Sequence, residues 1–209
     1  MKMYEKTVLR VSHIEENTDL LEPYRRFVIW VHGCCFDCEG CLAQNTRHGG
    51  YDEVPISVLA ERIVKSGCEG ITVSGGEPFL QAGALAALIA AVKEKRDIGV
   101  IVYSGFTIEE IRSREAFLPL LHCADILIDG RYVRQLDDGR AYIGSSNQRL
   151  HYLTDRYREA GAAYYACPAR RAEIKLTTDR AVLIGVPSEK VLRVWQEIKK
   201  KSGGICDDF

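Results

Sequence analysis

Three cysteines, Cys34, Cys38 and Cys41, stand at the spacing C-x3-C-x2-C inside the segment Cys34-Cys35-Phe36-Asp37-Cys38-Glu39-Gly40-Cys41. Thiolates bind metals. Three of them on one tight loop can hold three irons of a [4Fe-4S] cube and leave the fourth iron open to another ligand, as an inner-sphere reaction requires. Gly33 and Gly40 allow the bends of a wrapped loop. Two adjacent side chains do not readily aim at one cluster, so Cys35 reads as a spare. A structural zinc site usually combines two separated ligand pairs, and no second C-x2-C or H-x3-H pair follows. Iron-sulfur chemistry is therefore favoured, with zinc and a thiol redox pair as the alternatives. His32 and His48 flank the loop and read as packing or surface residues rather than a fourth ligand.

Three further groups of polar and glycine residues attract notice by position: Ser74-Gly75-Gly76-Glu77-Pro78, Ser104-Gly105 and Asp129-Gly130-Arg131. Each directly follows a short apolar, β-branched run, at Ile71–Val73, Ile98–Tyr103 and Ile126–Ile128, as Gly33-Cys34 follows Phe27–Val31. Such runs are too short for helices and read as buried strands. Between them, Ile56, Leu59, Ala60, Ile63 and Val64 repeat at helical spacing before Gly67, and Leu85, Leu88, Ile89 and Val92 do likewise. Thr107 with Glu110 forms a capping box ahead of Ile111. This alternation predicts an α/β fold with mostly parallel strands and right-handed crossovers. In such sheets and barrels ligands bind beyond the carboxyl ends of the strands, so the four groups should share one mouth.

Past Tyr132 the rhythm fails as far as Asn147. The tail then predicts a hairpin of Glu173–Leu176 with Ala181–Ile184 across Thr177–Arg180, and a last amphipathic helix carrying Val191, Leu192, Trp195 and Ile198. A chain of 209 residues with no Pro/Gly/Ser linker suggests one domain over 1–209. Lys plus Arg, 28, nearly balances Asp plus Glu, 29, so no overall field draws the chain to nucleic acid or an anionic membrane. Met1–Arg10 lacks a signal-peptide run, and Ala84–Val92 reaches about half a membrane span, so a soluble, cytoplasmic protein is expected. Four of the eight cysteines lie in the cluster; Cys68, Cys123, Cys167 and Cys206 are scattered, which suits small core residues better than disulfides.

The cysteine loop followed one βα unit later by Gly75-Gly76-Glu77-Pro78 resembles the signature of the radical S-adenosylmethionine superfamily. Within it the chain is most similar to the activating proteins of anaerobic ribonucleotide reductases. The resemblance runs over about residues 22–150, through Arg26–Cys34, Tyr103–Thr107, Asp125–Tyr132 and Gly144–Arg149. It implies a radical SAM core of partial (β/α) barrel form, with residues from about 155 to 209 as an added hairpin and helix. It also implies a [4Fe-4S] cluster on Cys34, Cys38 and Cys41, with S-adenosylmethionine chelating the open iron. Backbone from Ser74 to Gly76 would take the methionine amino group, with Glu77 supporting the loop. Ser104 and Gly105 would approach the cofactor's sugar and methionine end, and Asp129 and Arg131 would form a polar pair beside it.

The implied reaction is reductive cleavage to methionine and a 5'-deoxyadenosyl radical, making the chain an oxidoreductase of the glycyl-radical activase type. The implied partners are a glycyl-radical protein resembling anaerobic ribonucleotide reductase and an electron donor such as flavodoxin or ferredoxin. The chain departs from that pattern in lacking a glycine in Leu21–Arg26, in carrying Arg131 where lysine is usual, and in its tail. The same chemistry on a peptide or small molecule is the alternative, and a non-catalytic iron-sulfur or zinc module is the alternative of another class.

Overall fold

The computed structural model describes residues 7–21, 23–139, 143–166, 170–176 and 181–201, with the backbone of 206–208. The chain opens with two strands, β1 (Val8–Thr18) and β2 (Arg26–Val31), then a short helix α1 (Asn45–His48) and strand β3 (Asp52–Pro55). Helix α2 (Ile56–Ser66), β4 (Gly70–Gly75), α3 (Ala82–Lys93) and β5 (Gly99–Tyr103) follow in the expected alternation. Helices α4 (Ile108–Arg112) and α5 (Leu118–Cys123) precede β6 (Ile126–Asp129) and β7 (Arg149–Tyr152). Beyond them lie α6 (Arg158–Tyr165), β8 (Ala172–Leu176), β9 (Ala181–Gly185), α7 (Glu189–Lys201) and β10 (Cys206–Asp208).

Among the described residues, one sheet has the order β3-β1-β2-β4-β5-β6-β7. The pairs β2/β4, β4/β5 and β5/β6 are parallel, as the βαβ rhythm requires, while β1, β3 and β7 are attached antiparallel. The mostly parallel heart of the expected partial (β/α) barrel is present, in a linear strand order with antiparallel strands at its flanks. The added strands escape sequence reading for a physical reason. β1 is polar and half-exposed over most of its length, and its partners are set by tertiary pairing rather than by a continuous apolar run.

One face of the sheet packs against helices. Phe27, Ile29, Val31, Ile71, Val73, Val100, Val102 and Leu127 join Ile56, Leu59 and Ile63 of α2 and Leu85, Leu88 and Ile89 of α3 in a single apolar cluster. Those helix positions are the ones the spacing predicted, and Gly67 ends α2 in the left-handed region at φ 68°. The Thr107–Glu110 capping box forms as expected, with both reciprocal hydrogen bonds.

The opposite face is covered by the tail. Val182 and Ile184 of β9 meet Val28 and Trp30 of β2, together with Leu20 and Leu21. Tyr157 and Tyr165, flanking and ending α6, meet Ile101, Ile126 and Ile128. The expected tail hairpin is present as the antiparallel pair β8/β9, with α7 behind it burying Trp195; its turn, Thr177–Arg180, lies outside the described residues, as does Cys167. Cys68 is buried in the helix-side core, and Cys123 packs partly against it. No helix among the described residues is long and apolar enough to cross a membrane.

At the amino ends of the strands a guanidinium is fully buried. Arg26 donates to Thr72 Oγ1 at 3.0 Å, to Glu69 at 2.8 Å, to the Tyr157 hydroxyl at 2.6 Å and to the carbonyls of Ile71 and Gly99. Tyr157 in turn donates to Glu69 at 2.5 Å, so the tail is bonded to the base of the sheet. A buried charge is tolerable only when so completely paired. Tyr157→Phe should cost about 1–2 kcal/mol, because Arg26 and Glu69 still hold each other. Arg26→Ala should cost about 3–5 kcal/mol, since it removes the buried cation that pairs with Glu69 and donates to Thr72 and to the carbonyls of Ile71 and Gly99. Urea unfolding midpoints of the two variants check the order.

Candidate iron-sulfur and cofactor site

The cysteine loop leaves the end of β2 and is pinned at its root. Gly33 donates to Thr46 O and accepts from Glu77 N, both at 2.8 Å, so α1 and the end of β4 hold the loop from two sides. Gly33 and Gly40 take φ values of 96° and 76°, the bends expected of them. Arg47 reaches back to Asp37 at 2.7 Å across the loop. Cys34, Cys38 and Cys41 all line one cavity of about 910 Å³. Cys35 is exposed and lines a separate outer depression with Asp37, Glu39 and Arg131.

The motif after β4 forms the facing shelf. Gly76 donates to Val31 O at 2.8 Å and lies so close to the loop that a Cβ there would sit 2.1 Å from Gly33 O. Only glycine fits. Glu77 is fully buried beneath the shelf, accepting from Phe79 N at 3.0 Å, from the Ser104 hydroxyl at 2.9 Å and from Gly105 N at 2.8 Å. Gly105 in turn allows the Phe36 ring to approach; a Cβ would meet that ring at 2.5 Å. Phe36 stacks edge-on against Phe106, and the Arg131 guanidinium lies 4.5 Å from its ring centroid.

Seven of the eight non-cysteine residues expected at the site, Ser74, Gly75, Gly76, Glu77, Ser104, Gly105 and Arg131, line the same cavity as the three cysteines. Asp129 does not. Its buried carboxylate accepts from Ile108 N, capping α4, and is held by Arg149 at 2.7 Å with His151 Nε2 3.2 Å away. Asp129, at the end of β6, thus fixes α4 and β7, while Gly130, Arg131 and Tyr132 after it face the cavity. The Gly144–Arg149 segment acts as a strut. Gln148 Nε2 donates to Gly130 O and Asn147 Nδ2 to Arg131 O, both at 2.8 Å, while Gln148 Oε1 receives the backbone of Gly144 and Ser145.

Sequence reasoning missed Leu21, Trp30, Tyr103 and Tyr132, which also line the cavity. Trp30 and Tyr103 carry a signal that was available, since both lie in predicted strands at alternate positions to the helix-facing residues.

Burial pushes the Cys34 thiol up to about 11, with the Glu77 carboxylate and the neighbouring Cys35 and Cys41 adding to it and the Phe36 N–H opposing. Burial also raises Cys41, helped by Cys38. A thiol set of this kind keeps its protons until a cationic group displaces them. Among the described residues no three His, Cys, Asp or Glu side chains converge tightly enough for one metal ion.

Burial likewise raises Glu77 to about 7, against the hydrogen bonds of Phe79, Gly105 and Ser104, which lower it.

An open α/β sheet with a cysteine-lined cavity at the carboxyl ends of its parallel strands defines the class of the protein. Residues 23–151 match the profile of the 4Fe-4S single cluster domain. The anaerobic ribonucleoside-triphosphate reductase-activating protein of Enterobacteria phage T4 is 30% identical over 140 residues, 64% of this chain and 87% of that protein. Its namesake from Vibrio cholerae serotype O1 is 32% identical over 143 residues, 63% of this chain and 90% of that one. That of Escherichia coli strain K12 is 26% identical over 143 residues. The chain belongs to the 4Fe-4S single cluster domain family, in the group of anaerobic ribonucleoside-triphosphate reductase-activating proteins.

The raised Glu77 pKa has a measurable consequence. The folded carboxyl holds its proton to about 7, against a usual value of 4.5, so its favourable contribution is complete below pH 4.5 and is lost as pH rises through 7. Urea unfolding from pH 4 to 8 should show a loss of up to about 3 kcal/mol from this group. In Glu77→Gln that component of the pH dependence should vanish.

Proposed function

We propose that this chain is a radical SAM activase that installs a glycyl radical on a partner resembling anaerobic ribonucleoside-triphosphate reductase. The observation that carries the reading is the gathering of Cys34, Cys38 and Cys41 on one wall of a cavity whose shelf is Ser74–Glu77. The names of the similar proteins support the partner. Cys34, Cys38 and Cys41 would hold the [4Fe-4S] cluster, and the cavity side of Ser74, Gly75 and Gly76 would receive the methionine end of S-adenosylmethionine. Held there, and given one electron by an external donor such as flavodoxin or ferredoxin, the cluster and S-adenosylmethionine would supply reductive cleavage of the sulfonium C–S bond and so the radical chemistry needed to take hydrogen from a glycine.

The chain's own contribution is position and exclusion. Glu77 aligns the shelf and the Ser104–Gly105 turn by accepting three hydrogen bonds at once. Ser104 and Gly105 bound the far side of the cavity, and Phe36, clamped between Gly105 and Arg131, closes the flank of the loop against water. Arg131 supplies a fixed positive charge at the rim. Holding the reacting groups in one small volume is the source of rate that a protein can offer such chemistry.

A second reading keeps the chemistry and changes the acceptor to a peptide or small molecule. The tail favours it, because residues beyond the matched 23–151 also line the cavity.

Anaerobic reconstitution with iron and sulfide, followed by dithionite and S-adenosylmethionine, should yield 5'-deoxyadenosine. Cys38→Ala should lose the cluster absorbance and essentially all product while remaining folded, and Cys35→Ala should retain both. Absence of product from the cluster-loaded protein, with the reductase present, would rule out the activase. A glycyl-radical electron paramagnetic resonance signal on the reductase separates the first reading from the second.

A further inference from the structure

The cavity has two walls of different origin. The cysteine loop and strand ends come from residues 23–151, matched by the family. The facing wall comes from the tail: Val186, Pro187, Ser188, Glu189, Leu192 and Gln196 line it. Matched stretches that cover 87–90% of the similar proteins occupy only 63–64% of this chain, so those proteins have no room for a counterpart of this length.

The wall is built into the fold. Val182 and Ile184, just ahead of it, are buried on Val28 and Trp30. Gly185 turns the chain toward the cavity at φ 99°, where a Cβ would meet Arg171 O at 2.6 Å, and Val186 N bonds the same carbonyl at 3.0 Å. Arg170 pairs with Asp137 and donates to Gly144 O at 3.4 Å, tying the wall to the strut beneath Gly130 and Arg131. Lys175 of β8 pairs with Glu15 of β1 at 2.8 Å.

Its chemistry selects among ligands. Val186, Pro187 and Leu192 are apolar, Ser188 and Gln196 are uncharged hydrogen-bonding groups at exposed positions, and Glu189, the acid of this wall, is paired with Arg193 at 3.5 Å. Three arginines on the cavity have acidic partners, Arg170 with Asp137, Arg47 with Asp37 and Arg134 with Glu39, while Arg131, which is not part of the tail wall, lies over the Phe36 ring. A surface of this kind suits polypeptide backbone and small side chains, not a phosphate-bearing substrate. At about 910 Å³ the cavity is at the upper end of the ~300–1,000 Å³ usual for small-molecule sites, which leaves room for a second reactant beside a cofactor. Because the tail also covers the face of the sheet below, the acceptor has to come in at the strand-end mouth.

We propose that the Val186–Gln196 wall is the acceptor-selecting surface of this protein, receiving an uncharged, extended segment of the partner polypeptide while the cysteine loop and shelf take the cofactor. This rests on the activase reading above. The test is binding of the anaerobic ribonucleoside-triphosphate reductase from the same source, immobilised and titrated with the cluster-loaded protein under anaerobic conditions. Ser188→Trp and Gln196→Trp fill the wall from exposed positions, and Val194→Trp, on an exposed outward position of α7, is the control. Circular dichroism confirms that each variant is folded.

Each wall variant should weaken binding about tenfold or more, as loss of a central interface contact does, with the control within about twofold of the unsubstituted protein. If the reductase binds both wall variants as well as it binds the control, the wall does not select the acceptor and the proposal is overturned. If the unsubstituted protein forms 5'-deoxyadenosine yet does not bind the reductase at all, the partner in the activase reading is wrong, and the assignment of this wall to it falls too. Weakening by Val194→Trp equal to that by the wall variants would place the contact outside the cavity and also overturn the proposal.

Discussion

The site depends on one buried carboxylate. Glu77 lies fully inside the protein with its side chain shared among Phe79, Ser104 and Gly105, while its backbone N–H holds Gly33 at the root of the cysteine loop. Through this residue the ends of β2, β4 and β5 are brought into one register. Burying a carboxylate is unfavourable by itself, and the three hydrogen bonds offset that cost only if the three strand ends stand where they do. The same bonds that keep Glu77 in place therefore keep the shelf facing the thiols.

The next strand end is organised by the same logic at a different carboxylate. Asp129 caps α4 and binds Arg149, and the Gly144–Gln148 segment holds up Gly130 and Arg131 by side-chain amides. The backbone at Arg131 is thus held by a frame of hydrogen bonds, and its guanidinium by packing on the Phe36 ring. Motifs that read as potential ligands divide into two kinds: groups that face the cavity, and groups that hold those in position.

The sheet explains why the tail matters. Strands buried on both faces need cover on both, and here α2 and α3 cover one face while β9 and α6 cover the other. Once the tail packs on Val28 and Trp30, the chain continuing from Gly185 is delivered to the rim of the cavity. Stability of the sheet and completion of the cavity follow from one packing event, and the Arg26–Glu69–Tyr157 cluster bonds its far end.

The four parallel strands, the two long helices and the Thr107–Glu110 cap could be read from the chain because apolar spacing and capping chemistry are local properties. The cysteine spacing and the Gly75–Pro78 motif were equally legible, since the chemistry they imply resides in residue types a few positions apart. Sequence alone thereby determined which residues could do chemistry and that they belong at strand ends. Tertiary structure decided that Asp129 turns away, that β1 and β7 join the sheet antiparallel, that Arg26 is buried, and that Val186–Gln196 faces the cysteines. Each of these depends on partners separated by tens to more than a hundred residues, such as Arg26 with Tyr157, and no local pattern of size or polarity encodes contacts at that range.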